Sequence, residues 1–467
     1  MASLGQKLYW KAPYSAKCWM ASWNARRLGR WRYGPEYEKL LKDIARRDAW
    51  TPQQFRDYQD RQVREIVGLA AAHVPYYRAL FAEGAIDPAS IRNVDDLAKL
   101  PVLEKHVVRA DPVAFVDERL DRRRLMVAHT SGTTGTPLDL YRDVTQESAA
   151  FAYFDARCHA VAGMRRVRNP SVSLGGHLVA SPERNRPPFW VHNPRWRQLY
   201  MSSYHLSPDY LGFYVEELRR FRGDYIEGYP SSVYAIANYV VANDLAPVPF
   251  KACFTTAETL FDHQRQTIER AFASRLYNQY GCGEMTGFAA ECAGGSMHLS
   301  PEIGFVEVLD DDGKPVPAGQ TGKLVCTSLI NRVQPFLRYA VGDVGSRKAG
   351  QCPCGRLLPL LGGIEGRIDA VLITRDGRRI GRLDPVFKGA KGIAEAQIVQ
   401  DDYDKFRIRI VPGKDYTSAD GQRVTENLAQ RLGEADIRVE LTGSIERTAA
   451  GKFRAIVCNL PEAQRPK

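Results

Sequence analysis

The sequence predicts an α/β protein. A large N-terminal domain should carry a helical start, a mostly parallel sheet and a small β subdomain, followed by a smaller α+β C-terminal domain. Three observations predict it. Between residues 125 and 278 strand-like runs alternate with helical ones, the pattern of a parallel sheet flanked by helices that binds ligands at the carboxyl ends of its strands. After Pro301 the pattern changes to short β runs separated by glycine and aspartate turns. Past Arg367 strand and helix signals recur over about a hundred residues, enough for a separate domain. The expected boundaries are 1–368 for the first domain (1–120 mainly helical, 121–300 α/β core, 301–368 β subdomain) and 369–467 for the second.

Residues 1–34 place Trp10, Trp19, Trp23 and Trp31 among seven lysines and arginines. Trp19 and Trp23 are four apart and share a helical face. Such a face either packs on its own domain, the commoner fate of aromatics at this spacing, or lies on an anionic membrane. Thr51-Pro52-Gln53-Gln54 reads as a capping box with proline in the first turn, opening a helix through Phe55, Tyr58, Val63 and Ile66 toward Pro75. Strands are expected at 125–128, 172–174, 224–229, 252–256 and 275–278, and helices at 208–221 (Ser207 as N-cap), 232–243 and 262–273. An insertion at 176–200, rich in Arg, Pro and Trp, is either a solvated loop or a surface for an acidic or sugar-bearing partner. Further strands are expected at 304–309, 323–327 and 336–339. The C-terminal tail should add extended runs at 371–374, 396–399, 406–411 and 437–441 and a helix at 426–432.

A formal net charge of +11 favours anionic ligands without choosing among nucleotides, coenzyme A, acidic sugars and membrane surfaces. Zinc-finger, helix-turn-helix and RNA-binding signatures are missing, so nucleic acid is not expected. No apolar run approaches the roughly eighteen residues of a membrane span. Nine cysteines, an odd number with no cleavable signal, indicate a reducing compartment and hence a cytoplasmic protein.

The densest chemistry lies in Thr130-Ser131-Gly132-Thr133-Thr134-Gly135-Thr136-Pro137. Glycines let backbone N–H groups approach an anion, and hydroxyls add donors that rotate to fit phosphate oxygens. A Walker loop is excluded because no lysine follows Gly135. An ordinary polar turn is the alternative. Separately, Cys292 and His298 form C-x5-H, and Cys352 and Cys354 form C-x-C, together supplying the Cys₃His set of a closed tetrahedral zinc site. Bystander thiols are the alternative there.

The hydroxyl loop resembles the phosphate loop of adenylate-forming (acyl-CoA synthetase) enzymes. Tyr280-Gly281-Cys282-Gly283-Glu284 resembles their YGxxE motif, Tyr339-Ala340-Val341-Gly342-Asp343 their YxxGD motif, and Gly366-Arg367-Ile368-Asp369 their GRxD hinge. Arg447-Thr448-Ala449-Ala450-Gly451-Lys452 resembles their C-terminal catalytic-lysine loop. Within that superfamily the chain looks most like phenylacetate-coenzyme A ligases and the relatives linked to capsular polysaccharide biosynthesis, some of which hold a similar zinc site. The resemblance implies ATP, Mg²⁺ and a small carboxylic acid as ligands, and coenzyme A as acceptor. Residues Thr130 to Thr136 would bind the phosphates, Glu284 would hold Mg²⁺, Asp343 would accept from the ribose hydroxyls, and Arg367 would support the ribose and phosphate side. Tyr280 would flank the adenine, and Lys452 would bridge the attacking carboxylate and the phosphate. Rotation of a mobile C-terminal domain near Asp369 would bring Lys452 in for adenylation and withdraw it for transfer.

The acid pocket should be lined by Tyr229, Pro230 and Ser231, by Ala257 and Glu258, and by residues near Gly175 to His177, where His177 is either a base or a structural group. Aryl ligases tend to carry a glycine-rich run where this chain has Thr255-Thr256-Ala257-Glu258-Thr259, which speaks against an aryl acid. Two other readings stay open: transfer of the adenylated acid to an amine or sugar hydroxyl, and a non-catalytic nucleotide- or membrane-binding scaffold. Peripheral membrane contact and a homodimer are compatible with the same sequence.

Overall fold

The computed structural model describes residues 4–129, 138–181, 183–367, 372–375, 379–380, 384–387, 390, 392–432, 435–448 and 451–461. The chain divides into two compact units, one of Met1–Ala21, Asn169–Leu276 and Glu365–Lys467, the other of Ser22–Arg168 and Tyr277–Ile364. No helix among the described residues is long and apolar enough to cross a membrane.

The first unit contains the parallel sheet. Ala252–Thr256, Tyr225–Gly228, Ser171–Leu174 and Gln198–Met201 lie side by side and parallel. Trp190–Asn193 closes the edge antiparallel to Gln198–Met201. Helices Pro208–Phe221 and Pro230–Ala242 are the crossovers between successive parallel strands, and Ile226, Val233, Ile236, Cys253 and Ile268 are fully buried among them. Gly228 is required where two strands meet, because a Cβ there would lie 2.4 Å from the Leu174 carbonyl oxygen. The insertion at 176–200 is therefore partly sheet, not simply a loop. Phe189, Val191 and Leu199 are buried, and Arg/Pro richness in the sequence hid this alternation. In the same unit Ile393–Asp402 and Lys405–Pro412 pair antiparallel, with Ile456–Cys458 and Asp436–Leu441 added parallel on either side. Helix Ser418–Leu432 covers this sheet through Val424 and Leu428, beginning eight residues before the expected 426.

The second unit opens with helices. Thr51 and Gln54 form the expected capping box: the Gln54 N–H donates to the Thr51 hydroxyl at 3.3 Å and the Thr51 N–H donates to Gln54 Oε1 at 2.8 Å. Helix Pro52–His73 follows, burying Phe55, Val63, Ile66 and Val67. Its strands are antiparallel, with Gly304–Leu309, Thr321–Ser328 and Tyr339–Lys348 consecutive neighbours. Two expectations fail here. Met126–His129 does not enter the parallel sheet but pairs antiparallel with Asp139–Arg142, and its alternating half exposure, with Val127 at 42%, is unlike a strand buried on both faces. The expected strand at 336–339 instead begins at Tyr339, because Phe336 and Leu337 are buried by tertiary packing without joining a ladder.

Candidate active site

In the first unit all four parallel strands end at one group of residues. Leu174 runs into Gly175 and Gly176, Met201 into Ser203 and Tyr204, Gly228 into Tyr229, and Thr256 into Ala257 and Glu258. The Ser203 hydroxyl donates to the Gly175 carbonyl at 3.0 Å, fixing two of these strand ends together. The lysine loop packs onto them. Gly451, at φ +73°, lies so close that a Cβ would stand 2.6 Å from the Ser203 hydroxyl oxygen and 3.1 Å from the Tyr204 ring. Lys452 Nζ lies 5.9 Å from the centre of the Tyr229 ring, within cation–π reach of about 6 Å. The loop is closed on itself, the Thr448 N–H donating to the Lys452 carbonyl at 2.9 Å and the Lys452 N–H to the Thr448 hydroxyl at 3.1 Å.

Glu258 ties this loop to the sheet. Its Oε1 accepts the Phe453 N–H at 2.6 Å and its Oε2 accepts the Ser231 N–H, in the first turn of helix Pro230–Ala242, at 3.1 Å. Burial pushes the Glu258 carboxyl up, and the donors from Ser231 and Phe453 only partly pull it back. The Tyr229 hydroxyl is pushed up to about 12, by burial first and then by the Glu258 charge. Ala257 takes a left-handed backbone at φ +71°, a conformation glycine adopts without cost. Pro230 caps the Tyr229 turn at the first helical position, so the helix starts two residues before the expected 232. His177 is exposed, its ring edge-on to Tyr200 at 5.2 Å.

In the second unit the two tyrosine motifs exchange partners. The Tyr280 hydroxyl donates to Asp343 Oδ2 at 2.8 Å, while the Tyr339 hydroxyl donates to Glu284 Oε1 at 2.9 Å. Lys105 Nζ donates to the same Glu284 oxygen at 3.0 Å. Burial alone would raise the Glu284 carboxyl, since it is 3% exposed, but the Lys105 ammonium and the Tyr339 hydroxyl outweigh it and hold the group below its ordinary range. Met285 (φ +56°) and Arg338 (φ +47°), each beside a motif, occupy the left-handed region that costs a side chain about 1–2 kcal/mol. Lys105 has no role in the sequence reading, and Glu258, expected in the acid pocket beside Ala257, instead accepts the Phe453 and Ser231 N–H groups. Each sits in no motif, and only the tertiary pairing reveals its partners. Residues Thr130 to Thr136 and Asp369 lie outside the described residues, as does the Arg367 side chain.

The Cys/His group in the second unit does converge. Cys292, His298, Cys352 and Cys354 bring one ligand atom each within 4.8 Å of one another. Cys292 Sγ and Cys352 Sγ are 3.5 Å apart, and Cys354 Sγ and His298 Nε2 are 3.4 Å apart. A tetrahedron with zinc–sulfur bonds of about 2.3 Å has edges of about 3.8 Å, so the donor set fits zinc in kind and in size. The Gly294 N–H donates to Cys292 Sγ at 3.2 Å, a second-shell contact that favours a thiolate.

Known proteins share both sequence and fold with this chain. Residues 372–459 match the CapK C-terminal domain. The chain is 24% identical to Protein CapK of Staphylococcus aureus over 86% of its length and 89% of the relative's. It is 27% identical to a phenylacetate-coenzyme A ligase of Thermus thermophilus over 73% of its length and 75% of the relative's. A 2-hydroxyisobutyryl-CoA ligase in the postadenylation state, with R3-HIB-AMP, superposes with a TM-score of 0.71 at 22% identity over 89% of this chain and 91% of the other. These likenesses support the adenylate-forming superfamily, in its phenylacetate-CoA ligase/CapK branch. The shared fold class is a mixed α/β protein with a large sheet and a smaller C-terminal part, and the two of these proteins with named activities are acyl-CoA ligases.

Proposed function

We propose that this protein is an ATP-dependent ligase that activates a small carboxylic acid as its acyl-adenylate and passes the acyl group to coenzyme A. In the first half-reaction a carboxylate oxygen attacks the α-phosphorus of ATP, and the bond to the β-phosphate oxygen breaks to release pyrophosphate. In the second, the coenzyme A thiol loses its proton as sulfur attacks the acyl carbon, and AMP leaves. The observation that carries the reading is Glu284, a buried carboxylate kept ionised by Lys105 and Tyr339. Burying a charge is costly unless it is paired and hydrogen-bonded, and here Lys105 and Tyr339 supply both. A hard oxygen donor of this kind suits Mg²⁺, which is usually bound by one or two carboxylates together with substrate phosphates and would offset their charge. Asp343, with one oxygen engaged by Tyr280, would accept from the ribose, and Arg367 would support the phosphate side. The hydroxyl loop Thr130 to Thr136 would supply phosphate donors, and Asp369 the hinge between domains 1–368 and 369–467.

Lys452 would neutralise the incoming carboxylate and the α-phosphate during adenylation. Tyr229, Pro230, Ala257 and His177 would border the acid. Cys292, His298, Cys352 and Cys354 would hold a structural Zn²⁺, with all four positions filled by protein and none left for chemistry. A second reading, transfer to an amine or hydroxyl acceptor, draws on the sequence likeness to Protein CapK, which covers 86% of the chain against 73% for the phenylacetate-coenzyme A ligase. Pyrophosphate release screened over diverse carboxylates, with and without coenzyme A, tests both. Substrate-dependent release with a thioester product supports the first reading. Release without thioester selects the second, and no release with any acid rejects adenylation.

A further inference from the structure

Two of the four tryptophans near the N-terminus, Trp19 and Trp23, are not packed inward, whereas Trp10 and Trp31 are half-buried. Helix Tyr14–Arg32 turns Lys17 and Ala25 to the interior, at 6% and 2% exposure, and turns Trp19 and Trp23 outward at 67% and 60%. Lys17 is an unusual residue to bury. It stands over the Tyr9 ring at 5.5 Å, and burial pulls its ammonium down. Met20 is exposed beside Trp19, and Leu8 on the preceding helix Leu4–Lys11 is 63% exposed. Among the described residues, five of the eleven large apolar side chains that stand exposed fall between Leu8 and Trp23. Scattered single exposures are normal, but a concentration of this kind marks a contact surface.

Charge says what kind of surface it meets. The first 35 residues hold seven lysines and arginines and no aspartate or glutamate, although the whole chain carries 54 acidic residues. Arg26, Arg27 and Arg30 continue along the helix one to two turns beyond Trp23 and are exposed. Among the described residues no carboxylate pairs with them or with Lys11. A protein partner would meet a mixed-sign rim, whereas a lipid surface offers one sign of charge over an apolar layer. Tryptophan favours the boundary between headgroups and acyl chains, and arginine favours anionic headgroups.

We propose that helix Tyr14–Arg32 is an interfacial anchor that lays Trp19 and Trp23 into the surface of an anionic lipid bilayer, with Arg26, Arg27 and Arg30 on the headgroups. The helix lies in the plane of the surface and does not cross it. Its anchoring is independent of whether the protein forms adenylates.

Co-sedimentation of the full-length protein with vesicles tests this. The probes are phosphatidylcholine alone and phosphatidylcholine with about 30% phosphatidylglycerol, where each basic residue near the surface contributes about fivefold in binding. The anionic vesicles should retain the protein at least tenfold better at low salt, and high salt should weaken that retention. Trp19→Ser/Trp23→Ser and Arg26→Gln/Arg27→Gln/Arg30→Gln should each cut retention about tenfold or more, with thermal midpoints unchanged because these side chains are exposed. Wild-type protein that ignores both vesicles, or variants that bind as well as wild type, would overturn the proposal. So would a wild-type dimer in light scattering that the tryptophan variant abolishes, with no vesicle binding by either, because a second copy of the chain would then be the occupant.

Discussion

The Tyr280 hydroxyl lies 2.8 Å from Asp343 Oδ2, so one motif's tyrosine orients the other motif's carboxylate. If Asp343 receives the ribose hydroxyls, Tyr280 works by fixing which Asp343 oxygen faces them. Burial, and then the Asp343 charge, push the Tyr280 hydroxyl far above its ordinary range, so it remains a donor at any working pH. Tyr280→Phe keeps the ring packing and deletes only this bond. The expected result is a rise in KM for ATP of about tenfold, the scale of a hydrogen bond to a charged group, with kcat less affected. Steady-state pyrophosphate exchange measures it, and an unchanged KM would leave Asp343 without a role at the nucleotide.

Lys105 sets the charge state of Glu284. The folded-state carboxyl lies below its ordinary 4.5, so its contribution to stability is present above the unfolded pKa and is lost as pH falls through the folded one. Lys105→Met removes the counter-charge and leaves burial unopposed, which raises the carboxyl. The acid limb of the pyrophosphate-exchange rate should then move upward by about a pH unit or more, while Glu284→Gln should abolish the limb and cut the rate about a hundredfold. An acid limb in Lys105→Met that coincides with wild type would show that some other group governs it.

These two pairs show where a single sequence is readable. Thr51 to Gln54 form a local capping box, four residues long, and helix, cap and first-turn proline all follow from it. Tyr280, Glu284, Tyr339 and Asp343 were recognisable as members of two motifs, but their crossed pairing was not, because each bond spans more than fifty residues. Lys105 carried no local signal, and Glu258 was legible only as a residue at a strand end, not by its partners. A lysine opening a short helix and a glutamate after a strand are ordinary until something far away in the chain meets them. Trp19 and Trp23 misled in the opposite sense: their spacing describes a helical face correctly, yet spacing alone cannot say which side of the helix is covered. The insertion at 176–200 hid two strands because its alternation is short and interrupted by prolines.

The four sulfur and nitrogen ligands join the Phe288–Glu291 and Met297–Leu299 hairpin to the turn at Cys352, sixty residues on from Cys292. A metal closing such a loop stabilises the folded state directly, since the unfolded chain has no preformed site. Purified protein should contain about one zinc per chain. Cys292→Ser and Cys352→Ser should each lose it and lower the melting midpoint by several degrees, at roughly 1 °C per kcal/mol for a chain of this size. Chelator should shift wild type toward the variants and leave the variants unmoved. Metal analysis finding far less than one zinc, with no chelator effect on the midpoint, would assign these cysteines to packing alone.

Glu258 and Lys452 make the last prediction, because a single backbone N–H links them. The Phe453 N–H donates to Glu258 Oε1, and Phe453 follows Lys452 directly, so Glu258 holds the backbone next to the lysine. Lys452→Ala should suppress adenylate formation about a hundredfold or more while sparing acyl transfer from a preformed acyl-adenylate. Glu258→Ala should follow the same pattern more weakly, about tenfold, because Lys452 keeps its charge and loses only its placement. It also strips the acceptor from the Ser231 N–H at the start of helix Pro230–Ala242, which could lower stability by itself. Glu258→Gln separates these effects: its amide oxygen still accepts one N–H, so it should recover most of the adenylation rate. Equal loss of both half-reactions in Glu258→Ala would mean that the residue merely supports the fold. Loss of adenylation alone, largely restored in Glu258→Gln, would identify a latch that holds the lysine loop in place for one step and leaves the other step free of it.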